Sequence, residues 1–164
     1  MEKQPIHGIS KNSMRRSAKE INKRSDIENI IKKSLVCRLG LCKENIPYIV
    51  PVSFGFDGAN IYIHTAPEGR KIEFWMTNNL VCFEFEYDVK TIENNEKACK
   101  WTASFESVIG YGKIAEIMDD VQKTYALNQI MLQYSGKEWD YSSNDLKGLK
   151  VWKIEILEIS GKKS

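Results

Sequence analysis

The residues best suited to chemistry fall in one stretch, residues 61–71, which reads IYIHTAPEGRK. Ile61 and Ile63 alternate with Tyr62 and His64 in a strand-like pattern. The pattern runs into a hydroxyl, Thr65, then a turn at Ala66, Pro67, Glu68 and Gly69, then two adjacent cations, Arg70 and Lys71. That combination suits a phosphate. The cations supply charge, and a helix beginning there turns its unpaired N–H groups and the positive end of its dipole toward the same place. Without an anion, cations in a first helical turn oppose the dipole, a mild cost that a bound phosphate offsets. Histidine is the residue type that changes charge near neutral pH, so His64 suits either proton transfer or a hydrogen bond to a phosphate or the backbone. No carboxylate pair or Ser/His/Asp spacing stands out, so no catalytic acid or base is assigned. The expectation is a phosphorylated cofactor at this turn.

The elements that position the turn can be read outward from it. After a loose extension over residues 1–13, Ile27, Ile30 and Ile31 recur at helical spacing behind Ser25 and Asp26, predicting a short Asp-capped helix to Lys33 or Ser34. Residues 35–42 (LVCRLGLC) predict a strand with Arg38 in its middle, and residues 48–56 (YIVPVSFGF) a second. Pro51 lacks the N–H that a central strand needs, so the second strand has an edge, a bulge or an approaching ligand at that point. Asp57-Gly58 predicts a hairpin turn into Ile61. Residues 70–79 predict a helix with Ile72, Trp75 and Met76 on one face, and residues 80–87 a half-exposed strand. A polar loop over 88–98 precedes a long strand pattern over 101–118, where Gly110 and Gly112 mark a bulge or a close backbone approach. Asp119 or Asp120 caps a long helix closed by Gly136, residues 137–147 form a polar loop, and residues 149–159 form a last strand. About six strands and three helices, with tight turns between strands, predict a mainly β protein: an antiparallel barrel with flanking helices.

Composition narrows the class. The 164 residues suit one domain. No run of about 18 apolar residues offers a membrane span, and the N-terminus lacks an apolar signal region, so a cytoplasmic protein is the default. A net charge of +2, from 24 basic and 22 acidic residues, does not argue for nucleic acid. Lys11, Arg15, Arg16, Lys19, Lys23 and Arg24 gather near the start, where a solvated leader is the plain reading. The four cysteines form no CxxC pair and there are two histidines, so no metal site is expected. Cys37 and Cys82 sit in apolar strand patterns and read as reduced core thiols.

The order of these pieces resembles the flavin-binding split-barrel proteins related to pyridoxamine 5′-phosphate oxidase, nearest the branch of the 5-nitroimidazole resistance (Nim) proteins. The residues that carry the likeness are MRRSAKEI from Met14, VCRLGL from Val36, PYIVPVSFGF from Pro47, IYIHTAPEGRK from Ile61, CKW from Cys99 and ESVIGYGKI from Glu106. It covers nearly all of residues 14–164, taken as one domain with a six-stranded split barrel. The resemblance implies FMN bound at the interface of a homodimer. It implies that Thr65, Arg70 and Lys71 hold the FMN phosphate with His64 beside the phosphate or ribityl chain. It places Val52 and Ser53 along the isoalloxazine ring and Ser107 at a further flavin contact. The last strand, VWKIEILEISGKK, does not reproduce the late aromatic and basic contacts of the oxidase proper, which argues against oxidation of pyridoxamine phosphate.

The function expected from the resemblance is an FMN-dependent oxidoreductase. It takes electrons from NAD(P)H or another reductant and passes them to a small acceptor such as a nitroimidazole or other nitro-aromatic. The alternative is a flavin- or haem-binding carrier or sensor without catalysis, with His64 as a haem ligand. Flavin carries the redox step in the first case, while the protein supplies position and polarity.

Overall fold

A computed structural model describes residues 17–164. The expected 1–13 extension, and Met14, Arg15 and Arg16 of the basic leader, lie outside the described residues. Along the chain come β1 (Glu20–Ile21), α1 (Arg24–Lys33), β2 (Cys37–Lys43), β3 (Ile46–Val52), β4 (Gly55–Phe56), β5 (Asn60–Thr65) and α2 (Arg70–Thr77). They are followed by β6 (Leu80–Ile92), β7 (Thr102–Ile117), α3 (Asp120–Ser135), α4 (Ser143–Leu146) and β8 (Lys150–Lys163). Every strand pair is antiparallel, in the order β3-β2-β6-β7-β8-β5-β4, with β1 on β8. The predicted mainly β architecture with flanking helices is therefore present, with eight described strands in an open path in place of six. The extra strands are short. β1 has two residues, too few to show a period, and β4 arises because the predicted second strand breaks at Ser53 and Phe54.

Alternation sets the core. Val81, Phe83 and Phe85 of β6 and Cys37, Leu39 and Leu41 of β2 turn inward, while Arg38, Glu84 and Glu86 face out and pair with one another. Trp75 of α2 meets Trp152 of β8 edge to face at 5.0 Å in the middle of that core. Gly110 and Gly112 are needed for space: a Cβ on Gly110 would lie 2.5 Å from the Glu158 carbonyl oxygen, and one on Gly112 2.5 Å from Ile154 Cγ2. The β7–β8 register shifts between Tyr111 and Gly112, as a strand glycine had suggested.

Several boundaries differ from expectation. α1 begins at Arg24 behind Lys23, with no side-chain cap, so Asp26 sits in the first turn instead of capping it. β6 continues to Ile92 where a loop was predicted from residue 88. A bulge between Tyr87 and Lys90 carries it on, pairing Lys90, Thr91 and Ile92 with Ser104, Ala103 and Thr102. That extension is exposed, so no hydrophobic period marks it. α4 interrupts the 137–147 loop through a capping box between Ser142 and Asp145. Asp119 does cap α3, accepting from Gln122 N at 2.9 Å, and Gly136 closes it at φ 70°. Pro51 lies on β3, which ends the strand order and pairs regularly through Pro51 with Arg38, so the edge reading holds. All four cysteines are unpaired; Cys37 is buried, with its thiol pushed up by burial, and Cys82 is half-buried. Among the described residues no helix is long and apolar enough to cross a membrane.

Candidate functional site

The turn after β5 delivers α2 with its first donors unpaired. Gly69 stands at the N-cap with φ 147°, a conformation that side-chain-bearing residues rarely adopt, and no side chain caps the helix. Its carbonyl accepts from Ile72 N at 2.9 Å and Glu73 N at 3.3 Å. The N–H groups of Arg70 and Lys71, at the first two helical positions, have no acceptor within the helix. Among the described residues neither Arg70 nor Lys71 enters an ion pair. Arg70 is held without a carboxylate: its guanidinium lies 4.9 Å from the Tyr48 ring and 5.7 Å from the Phe74 ring. Those two rings stand 5.1 Å apart. An aromatic cradle fixes the arginine while leaving its N–H groups for an outside acceptor, and Lys71 is half-buried beside it in sequence. The donor set fits an anion.

Thr65 is 5% exposed, and its Oγ1 accepts a hydrogen bond of 3.0 Å from Trp152 Nε1. Its cross-strand partner Lys150 lies 5.6 Å from the Trp152 ring and pairs with Glu116 at 3.2 Å. His64 projects from β5 into solvent and its imidazole makes no hydrogen bond among the described residues. Thr65, Arg70 and Lys71 thus flank one turn, with His64 at the adjoining strand end.

Val52 ends β3, the strand that carries Tyr48 under Arg70, and Ser53 follows it directly. Tyr48 and Val52 lie on the same inward side of β3, four residues apart, which is about 13 Å at the usual strand rise. One strand therefore connects the cation pair to the exposed Ser53. Just beyond, the Phe54 N–H donates to Tyr134 Oη at 3.1 Å, and that hydroxyl donates to the Leu35 carbonyl at 2.9 Å. A Cβ on Gly55 would lie 2.7 Å from the Gln129 carbonyl oxygen, so α3 packs its backbone directly on this segment. Ser107 is elsewhere. On β7 it pairs with Glu86 of β6 and Lys162 of β8, three strands from β3, or about 14 Å across the sheet. Within one chain it is not brought to the other candidates. Tyr48, Tyr134 and Trp152 were not singled out as site residues in the sequence; each looked like an ordinary apolar position, and their partners lie far away in the chain.

Residues 23–163 match the family described as pyridoxamine 5′-phosphate oxidase. Among solved structures, a candidate 5-nitroimidazole antibiotic resistance protein from Bacteroides thetaiotaomicron is 34% identical, over 88% of this chain and 86% of its own, with a TM-score of 0.78. A flavocytochrome from Azotobacter vinelandii shares the fold at 18% identity and a TM-score of 0.77, over 94% of this chain and 74% of its own. An uncharacterized protein of Rhizobium meliloti is 32% identical over 56 residues, which is 34% of this chain and 36% of that protein's length. With a family match over most of its length and the split-barrel strand order, the chain belongs to the pyridoxamine 5′-phosphate oxidase family, in the branch that includes the 5-nitroimidazole resistance proteins.

Proposed function

We propose that the protein is an FMN-dependent oxidoreductase that reduces a small acceptor of the nitro-aromatic class, such as a nitroimidazole, with electrons from NAD(P)H or another reductant. The observation that carries this reading is the pair Arg70 and Lys71 at an uncapped helix start, without carboxylate partners and with the arginine already stacked. Arg70, Lys71 and the Thr65 hydroxyl hold the phosphate, and His64 borders the phosphate or ribityl chain. Val52 and Ser53 run along the ring. FMN, when bound, supplies the hydride chemistry; the chain's own residues hold, orient and shield it.

Ser53, His64 and Arg70 are exposed, so in this reading one subunit alone would leave a flavin wet on one side. A second copy of the chain covers it in this reading, and Ser107, too far away within one chain, comes from that copy. The test is the absorbance spectrum of the purified protein with and without FMN, followed by nitroimidazole reduction with NAD(P)H. A colourless protein that takes up no FMN contradicts the proposal. The carrier or sensor reading has one observation in its favour, the exposed His64 without a hydrogen bond. A Soret band on haem addition, with no flavin uptake, would select it.

A further inference from the structure

We infer that Tyr134, on the last turn of α3, is the positioning residue for the ring-side segment Val52 and Ser53; this rests on the reading of that segment as the flavin ring's neighbour. β3 stops at Val52 and β4 starts at Gly55, so Ser53 and Phe54 have no strand partner to fix them. What fixes them is α3. Gly55 lies against the backbone of Gln129 and Ile130, too close for a methyl group. The Tyr134 hydroxyl uses both of its hydrogen-bonding capacities at once, accepting from Phe54 N at 3.1 Å and donating to Leu35 O at 2.9 Å. One residue earlier, Gln133 Nε2 donates to the Lys32 and Ser34 carbonyls at 3.0 and 2.8 Å.

The last turn of α3 thereby ties the linker before β2 to the break after β3. The Phe54 ring, fully buried, stands edge-on to Phe85 at 4.8 Å and to Tyr134 at 6.4 Å, so the side chain anchors inward while its N–H is held by the helix. A backbone segment held by a side chain from a distant helix is set to a definite position against whatever lies on its open side. Shifts of about an ångström in such a segment are enough to alter chemistry at a bound cofactor.

The test uses the full chain loaded with FMN. Tyr134→Phe keeps the ring and removes one oxygen. It should shift the visible bands and midpoint potential of the bound flavin and weaken FMN binding roughly tenfold. Tyr125→Phe is the control on the same helix. It removes a hydroxyl bond of 3.4 Å to Asp57, at the turn beyond β4, leaves the Tyr134 bond to the Phe54 N–H in place, and should leave spectrum and potential as in the wild type. A Tyr134→Phe protein with unchanged spectrum and potential overturns the inference. The wild type gives a reading that needs no variant: the Phe54 amide should be protected from hydrogen exchange before FMN is added, and exchange at a free-loop rate overturns the inference too. Failure of the underlying reading looks different: Ser53→Phe would then leave both FMN binding and the flavin spectrum untouched, which removes the ring from this segment and the inference with it.

Discussion

Trp152 Nε1 donates to Thr65 Oγ1 at 3.0 Å, between neighbouring strands, from β8 to the last residue of β5. An indole can only donate, so the threonine oxygen is used as an acceptor and its single proton is left to be given to something else. A phosphate at the neighbouring turn is such an acceptor. Trp152→Phe should leave the buried Thr65 oxygen unsatisfied and lower stability by about 1–3 kcal/mol in chemical denaturation. It should also weaken FMN binding by about 0.5–1.5 kcal/mol, because the hydroxyl is no longer oriented. Equal FMN affinity in the variant and the wild type would confine the bond to the core.

Tyr48 governs Arg70. With the guanidinium 4.9 Å from its ring, Tyr48→Leu should release the arginine and weaken FMN binding by about 0.5–2 kcal/mol, measured by titration. Stability should change less, since the arginine end of the contact is exposed.

Gly55→Ala should destabilise the fold by about 1–3 kcal/mol, visible as a lower denaturation midpoint, because the methyl group meets the Gln129 and Ile130 backbone and no flexible side chain can yield. Gly58→Ala tests the contrast. There a Cβ meets nothing within 4 Å, and the cost comes from φ 95° alone.

Asp57 links the hairpin turn to stability at acid pH. Burial pushes its carboxyl up, but the Tyr62 hydroxyl at 2.7 Å and the N–H groups of Asn60 and Ala59 at 2.7 and 2.9 Å pull harder, and its pKa ends below the ordinary 3.8. A carboxylate lowered on folding stabilises the native state above its unfolded pKa, and that contribution fades as pH falls through the folded value. Denaturation midpoints should therefore drop as pH is taken below about 4. In Asp57→Asn that part of the dependence should be absent.

The turn from β5 into α2 was legible because it is local: hydroxyl, glycine and cations lie within seven positions of one another, and helix and strand periods flank them. β2, β3, β5, α2 and α3 were legible for the same reason, as were the Asp119 cap and the Gly136 stop. What was hidden depends on chain-distant partners. Trp152 is 87 positions from Thr65, and Tyr134 is 80 from Phe54, so neither pairing leaves a pattern in sequence. The end of β6 was missed because, past the bulge between Tyr87 and Lys90, its ladder to β7 lies exposed with no alternation of buried and exposed positions. Ser107 shows the converse. Its motif was readable, but its distance from the other candidates is a property of strand order, which a motif does not carry.

The central claim is that Arg70 and Lys71 hold the phosphate of FMN, and comparing FMN with riboflavin, its analogue without phosphate, tests it most directly. Equilibrium titrations of the wild type, Arg70→Ala and Lys71→Ala with both ligands isolate the phosphate contribution. The wild type should prefer FMN strongly, and each variant should lose about 1.5–3 kcal/mol of FMN binding while riboflavin binding stays where it was. Equal affinity of the wild type for the two ligands, or an FMN preference untouched in both variants, would contradict the account.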